Sequence, residues 1–243
     1  MRRKTLRIFL YFFLAMGIFV ATGLLLHHRA HNKARKVLSV AEMKASDFLP
    51  PGAQEIDSKK DEAFQRFFVV YKLGNDVFNE IFFAIFEKDK IGYHKVLEDL
   101  LIKDFDFVHE FIAEIRLVDL DHDGMKDVVV FEFTTAAYGQ GTVAYLQKAR
   151  GYQNCSPGGG EFFADGSGTY FLDILGDKKL EAISLMRDRD TDPIRNTVYE
   201  IYELQAERYE LVMQFSDVQK DLSDKEKNII IQIRRVWNEN NCE

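Results

Sequence analysis

Cysteine is scarce: the 243-residue chain has two, Cys155 and Cys242. That is too few for a disulfide scaffold, and their separation excludes a CxxC metal or redox site. Either both are idle thiols, or one bridge ties the C-terminal segment to the middle of the chain, which requires an oxidising compartment. Four prolines and no low-complexity tract, beside 47% hydrophobic and 13% aromatic residues, exclude general disorder. Positive charge is lacking over most of the chain. Eight of the 32 Lys and Arg lie within residues 1–36, which contain none of the 39 Asp and Glu. The remainder, Val37 to Glu243, therefore holds 24 basic against 39 acidic residues, a formal charge of −15. Such a surface repels phosphate backbones, so nucleic acid is not expected as a partner. Catalytic motifs are also wanting. Ser156-Pro157-Gly158-Gly159-Gly160 is not followed by the Gly-Lys-Ser/Thr of a phosphate loop. Gly166-Ser167-Gly168 lacks the spacing of a nucleophile elbow. His94, His109 and His122 stand without a Cys or Ser partner. Enzymatic activity is not the expectation these absences favour.

What is present begins with Ile8 to Leu26, 19 residues without a charge. At about 1.5 Å per residue such a helix spans roughly 28 Å, close to the hydrocarbon thickness of a bilayer. Arg2, Arg3, Lys4 and Arg7 precede it, and it ends in Leu26-His27-His28-Arg29, a poor peptidase site. The segment reads as an uncleaved signal anchor, with the lipid bilayer as partner through residues 8–26. His27, His28 and His31 read as a solvated linker. The organisation expected is an anchor at 1–28, a stalk and linker at 29–52 stopped by Pro50-Pro51-Gly52, a β-repeat domain at 53–214 and a helical segment at 215–243.

Within 53–214 short aromatic and β-branched runs alternate with Gly, Asp and charged turns: Arg66 to Leu73, Asn79 to Glu87, Ala113 to Val118, Asp127 to Phe133, Thr142 to Gln147, Thr169 to Leu175, Glu181 to Met186, Asn196 to Leu204 and Tyr209 to Gln214. These are strands. Tyr93 to Ile102 fits either a helix or a strand. Phe162 and Phe163, between two glycine clusters, are expected to be exposed on a loop as a contact surface, and Arg187 to Asp192 to form a solvated hairpin loop. From Leu222 onward Ser223 and Glu226 form a capping box that opens a C-terminal helix, whose Trp237 packs on a sheet. The strands repeat in three units, residues 55–98, 116–155 and 170–212, each with an acidic loop, an apolar strand and a hairpin. Asp57, Asp119 and Asp173 are the expected loop starts.

The most specific string is Asp119-Leu120-Asp121-His122-Asp123-Gly124-Met125-Lys126-Asp127. Carboxylates at positions 1, 3 and 5 converge on one ion when the chain curls, Gly124 permits the turn, and Met125 offers its backbone carbonyl. An EF-hand needs a Glu at position 12, where Val130 stands, and here a strand precedes the loop; Asp127 at position 9 becomes the closing ligand. Strand, DxDxDGxxD, strand resembles the FG-GAP/VCBS-type repeat of integrin-like propellers and bacterial surface proteins. The resemblance implies calcium held by Asp119, Asp121, Asp123 and Asp127. The other two loops match less well: the third keeps Asp173, Asp177 and Glu181 with Leu175 at a ligand position, and the first keeps Asp57 and Asp61, so both are expected to be metal-free. Three units fall short of a closed propeller, so the expected fold is mainly β, an open propeller-like assembly. Positive charges flank the anchor equally, four on each side, so they do not orient it. The short N-terminal tail and a loop whose affinity, on the order of 10⁻⁴–10⁻³ M, suits extracellular calcium place the domain outside the cytoplasm. The functional expectation is a membrane-anchored interaction or structural module with an unknown protein partner and a calcium-stiffened loop. The alternatives are a membrane-anchored metal-dependent hydrolase and a cytoplasm-facing protein with a metal-free loop.

Overall fold

A strand with one wet face alternates apolar and polar residues, yet Arg66–Tyr71, Asp127–Glu132, Thr142–Gln147 and Glu181–Leu185 are buried at every position. Strands of that kind need a packed layer on each side. The computed structural model, which describes residues 40–74, 78–106, 111–134, 139–149, 151–165, 168–187, 197–219 and 221–240, supplies those layers as three antiparallel sheets and a helix. The first sheet is the meander β1 (Gln54–Asp61), β2 (Arg66–Gly74), β3 (Phe78–Lys88), β4 (Tyr93–Asp106). The second runs β5 (Phe111–Val118), β6 (Asp127–Thr134), β7 (Gly139–Lys148), β8 (Gly151–Asn154), with β9 (Phe162–Asp165) pairing the N-terminal half of β7. The third runs β10 (Thr169–Leu172), β11 (Glu181–Arg187), β12 (Thr197–Gln205), β13 (Arg208–Ser216), and α1 spans Asp224–Asn240. Each of the three expected units thus falls on a four-stranded antiparallel meander, to which β9 adds a fifth strand in the second sheet.

Among the described residues, three cores join the layers. Phe68, Val70, Ile81, Phe83 and Ile85 of the first sheet meet Ile115, Val128, Val130, Val143 and Tyr145 of the second. The opposite face of the second sheet carries Val129, Phe131, Ala144 and Leu146, which pack with Ala182, Leu204 and Tyr209 of the third. The far face of the third, with Ile183, Leu185, Tyr199, Ile201 and Phe215, is covered by Ile229, Ile230 and Ile233 of α1. The capping box forms as expected: Ser223 N–H donates to Glu226 Oε2 at 2.6 Å and Glu226 N–H to Ser223 Oγ at 3.3 Å. On the outer face of the first sheet, the Phe48 ring packs against Phe67, Phe86 and Tyr93 at 5.6, 4.8 and 5.8 Å.

Of the two readings of Tyr93 to Ile102, the strand is the one that forms. Val96, Leu97, Leu101 and Ile102 have a helix-like spacing because register shifts opposite Ile85/Phe86 and Ile81/Phe82 reset the alternation of β4, so that both pairs pack on the same core. Two expectations are corrected. Phe162 is not exposed: β9 pairs with β7, and alternation turns Phe162 into the second core, edge-on to Phe171, Tyr202 and Tyr209 at 5.7, 5.3 and 5.2 Å, while only Phe163 faces outward. Asp57 is not a loop start; it lies inside β1, and the β1–β2 turn is residues 62–65. Its Oδ2 accepts the Ile115 N–H at 2.8 Å, a tie from the first sheet to β5.

Cys155 is a free, fully buried thiol. The anchor Ile8–Leu26, His27, His28, His31, His109, Ser167, the run Asp188 to Asp192, the side chain of Trp237, and Cys242 lie outside the described residues, among which no helix is long and apolar enough to cross a membrane. The placement of Phe162 makes a prediction: Phe162→Ala lowers unfolding free energy by about 3–5 kcal/mol, whereas Phe163→Ala changes it by about 0.5 kcal/mol or less, both read from urea denaturation midpoints.

Candidate metal centre

The loop between β5 and β6 is anchored at both ends before any ion enters the argument. Val118 pairs with Asp127 across the strand ends, and Leu120, fully buried, holds the chain in the second core. Between them the backbone enters the left-handed region at His122 (φ +59°) and Gly124 (φ +85°). For His122 that conformation is a cost which the loop geometry imposes. Asp119 caps the curl, its Oδ1 accepting the Asp123 N–H at 3.1 Å and its Oδ2 the Gly124 N–H at 3.0 Å. Asp123 accepts the Met125 N–H at 2.8 Å.

Asp127 closes the loop from inside. It is 1% exposed, and its two oxygens each accept a backbone N–H, from Leu120 at 2.8 Å and from Gln147 of β7 at 2.7 Å. Burial pushes its carboxyl up to about 6, against the pull of those two donors and with the help of the nearby charges of Asp121 and Asp123.

Of the five expected ligand residues, Asp119, Asp121 and Asp127 are brought together: one carboxylate oxygen from each lies within 4.8 Å of the others. Asp123 is exposed and turned to the Met125 amide, outside that triad, and Met125 enters through its backbone alone. Asp121 Oδ1 is buried and has no hydrogen-bond partner, while its Oδ2 lies 3.5 Å from Lys148 Nζ. The donor set is all carboxylate oxygen, the chemistry that hard divalent cations take, and a cation there would satisfy the orphaned oxygen and lower the charge repulsion. Lys148 offsets one of the three charges. Neither it nor Gln147 is legible from the loop, because they stand 27 and 20 residues beyond Asp121 and Asp127 and only sheet pairing brings them back.

The third sheet carries the same loop. Asp173 accepts Gly176 and Lys178 N–H at 2.6 and 3.2 Å, Asp177 accepts Lys179 N–H at 3.0 Å, and Glu181 Oε2 accepts Ile174 and Leu175 N–H at 2.7 and 3.1 Å. The left-handed residues again fall at positions 4 and 6, Gly176 (φ +77°) and Lys178 (φ +74°). Leu175, exposed, replaces the carboxylate of position 3, and no three carboxylates converge there among the described residues. Compared with known proteins, the chain matches no family model, no curated protein and no solved structure.

The two aspartates differ in what they hold, which predicts opposite behaviour in chelator. Asp127→Asn exchanges an acceptor for a donor that faces a buried N–H, and costs about 1–3 kcal/mol with no metal present. Asp121→Asn removes a charge whose Oδ1 is partnerless and whose Oδ2 meets Lys148 only at 3.5 Å, and shifts stability by about 0.5 kcal/mol or less. Urea unfolding in EDTA compares them.

Proposed function

We propose that the chain is a membrane-anchored, extracytoplasmic β-repeat module of the FG-GAP/VCBS type that serves in interaction or as a structural element, and that calcium stiffens its second loop. The observation that carries this reading is the convergence of Asp119, Asp121 and Asp127 within 4.8 Å, with Asp121 Oδ1 buried and partnerless. The loops of the second and third sheets share the hydrogen bonds from position 6 to position 1, from position 7 to position 5 and from position 2 to position 9, and left-handed residues at positions 4 and 6, which supports a true repeat. Calcium rather than magnesium fits a site built on a curled loop, because calcium accepts irregular, oxygen-rich coordination. Residues 8–26 supply the anchor. The metal-dependent hydrolase is the weaker reading. A catalytic ion must open onto a substrate cleft, and a cleft of about 340 Å³ among the described residues is lined by Arg116, Phe131, Phe133, Tyr170 and Phe171 rather than by the three aspartates.

The test is a calcium titration of the full-length chain in mild detergent, followed by thermal unfolding. At a calcium concentration ten times Kd, stabilisation is about 1.4 kcal/mol, a rise in Tm of roughly 3–5 °C for a chain of this size. The rise is absent in Asp121→Ala. An unchanged Tm in the wild-type chain at 10 mM calcium sinks the assignment. The anchor has its own measurement: deleting residues 1–36 moves the protein from the alkali-resistant membrane pellet to the soluble fraction.

A further inference from the structure

A second set of carboxylates meets well away from the loop, on the face of the second sheet turned toward the first. Glu132 of β6 is 3% exposed, and its Oε1 has no hydrogen-bond partner. Its cross-strand neighbour on β7 is Gly141, whose own neighbour on β9 is Phe163. Glu161, two residues before Phe163, falls on the same face. A Cβ on Gly141 would collide with the Glu161 carboxylate and stand 3.1 Å from Glu132 Oε2. The side chain that glycine lacks is therefore the space in which the two carboxyl groups meet. From the first sheet, Asp99 of β4 reaches the same junction, its Oδ2 accepting the Tyr145 hydroxyl at 2.9 Å.

The charges that act on Glu132 are those of Glu161 and Asp99, both negative. Ionising the buried Glu132 beside two other carboxylates is costly, and the least costly remedy is one proton shared with the exposed Glu161. A cation is the other remedy, but the three ligand oxygens it needs converge, among the described residues, only at the β5–β6 loop.

We propose that Glu132 and Glu161 share a single proton that locks the junction between the first and second sheets, and that losing it as pH rises loosens β6, β7 and β9 from β4. Burial, with Glu161 and Asp99 adding to it, pushes the Glu132 carboxyl from its ordinary 4.5 up to about 8, and burial raises Glu161 as well. The Tyr145 hydroxyl is pushed up by burial and by Asp99, so it remains the donor that fixes Asp99 across this range. A carboxyl raised in the folded state contributes stability that is complete below 4.5 and is lost as pH climbs toward 8. The lock therefore holds in mild acid and opens in mild alkali.

The experiment is thermal unfolding of the full-length chain from pH 5 to pH 9 in EDTA, with infrared detection of protonated carboxyl groups. Wild-type Tm is expected to fall by roughly 5 °C or more between pH 6 and pH 8.5, with a protonated carboxyl band persisting at pH 7. Glu132→Gln removes that band and flattens the fall by at least half. Glu161→Gln, at the accessible end of the pair, also flattens it, which keeps the test decisive should Glu132→Gln fold poorly. A Tm profile parallel to wild type in both variants, or no protonated carboxyl at pH 7, overturns the proposal. So does a calcium-dependent rise in Tm at pH 8.5 in the Asp121→Ala background that Glu132→Gln abolishes, because a cation would then hold the pair.

Discussion

The central strands of this protein are apolar on both faces, and most of its architecture answers that constraint. Phe67 to Tyr71, Val128 to Phe131 and Ala182 to Leu185 cannot lie on the surface of a two-layer fold without leaving several large side chains in water. Stacking solves the problem for the second sheet, which has a neighbour on each face. It leaves one apolar face open on the first sheet and one on the third. Those faces are closed by different means, an aromatic contact from Phe48 before β1 and the isoleucine stripe of α1 after β13. In any stack of sheets, the end layers need such covers to keep their apolar faces out of water. With both ends closed, three sheets suffice, and no fourth is required to bury what the third exposes.

Each sheet begins at the same structural position with a different chemistry. The first residue of the second strand is Arg66, Asp127 or Glu181, paired across the turn with Asp61, Val118 or Leu172. All three are buried polar groups, which is costly unless each finds partners. Asp127 and Glu181 take backbone N–H groups from their own loops, which curls both loops in the same way. Arg66 lacks an acidic loop to serve and instead donates outward to Glu87, and across to Gln147 and Tyr152 of the second sheet at 2.5 and 3.1 Å. Gln147 joins the two systems: its backbone N–H donates to Asp127 and its side-chain oxygen accepts from Arg66. The candidate metal loop is thus wired to the first sheet through one residue of β7.

The strands and the mainly β class were legible because alternation and aromatic runs follow directly from sheet burial. So was the C-terminal helix, whose Ser223 and Glu226 form a local signal. Phe162 was not, because nothing near it reveals that β7 is long enough to pair with β8 at one end and with β9 at the other. Tyr93 to Ile102 misled in another way: two register shifts turn a period of two into one that mimics a helix. In the loop, spacing pointed to the aspartates at positions 1, 3, 5 and 9 as a cluster; those at 1, 3 and 9 converge, and Asp123 turns to the Met125 amide instead. That Asp127 would spend both oxygens on backbone donors, and that Asp121 would keep one oxygen idle beside Lys148, depends on partners distant in sequence.

Burial alone does not mark a functional acid; what matters is whether the buried charge is compensated. Glu181 is fully buried yet two amides hold one of its oxygens, and Asp127 is nearly so with both oxygens held. Charge-assisted bonds of that kind contribute roughly 1.5–3 kcal/mol each, enough to keep a carboxylate in place as a structural element. Glu132 is buried almost as deeply and, like Glu181, leaves its Oε1 without a partner, but the charges that act on it are those of two acids from other strands and loops, Glu161 and Asp99. A fold that needed only to fill that position would place an apolar residue there, since the other inward residues of β6, Val128 and Val130, are apolar and belong to the same core. An uncompensated acid at that point costs stability as pH rises, and what it supplies in return is a response to protons that no valine can give.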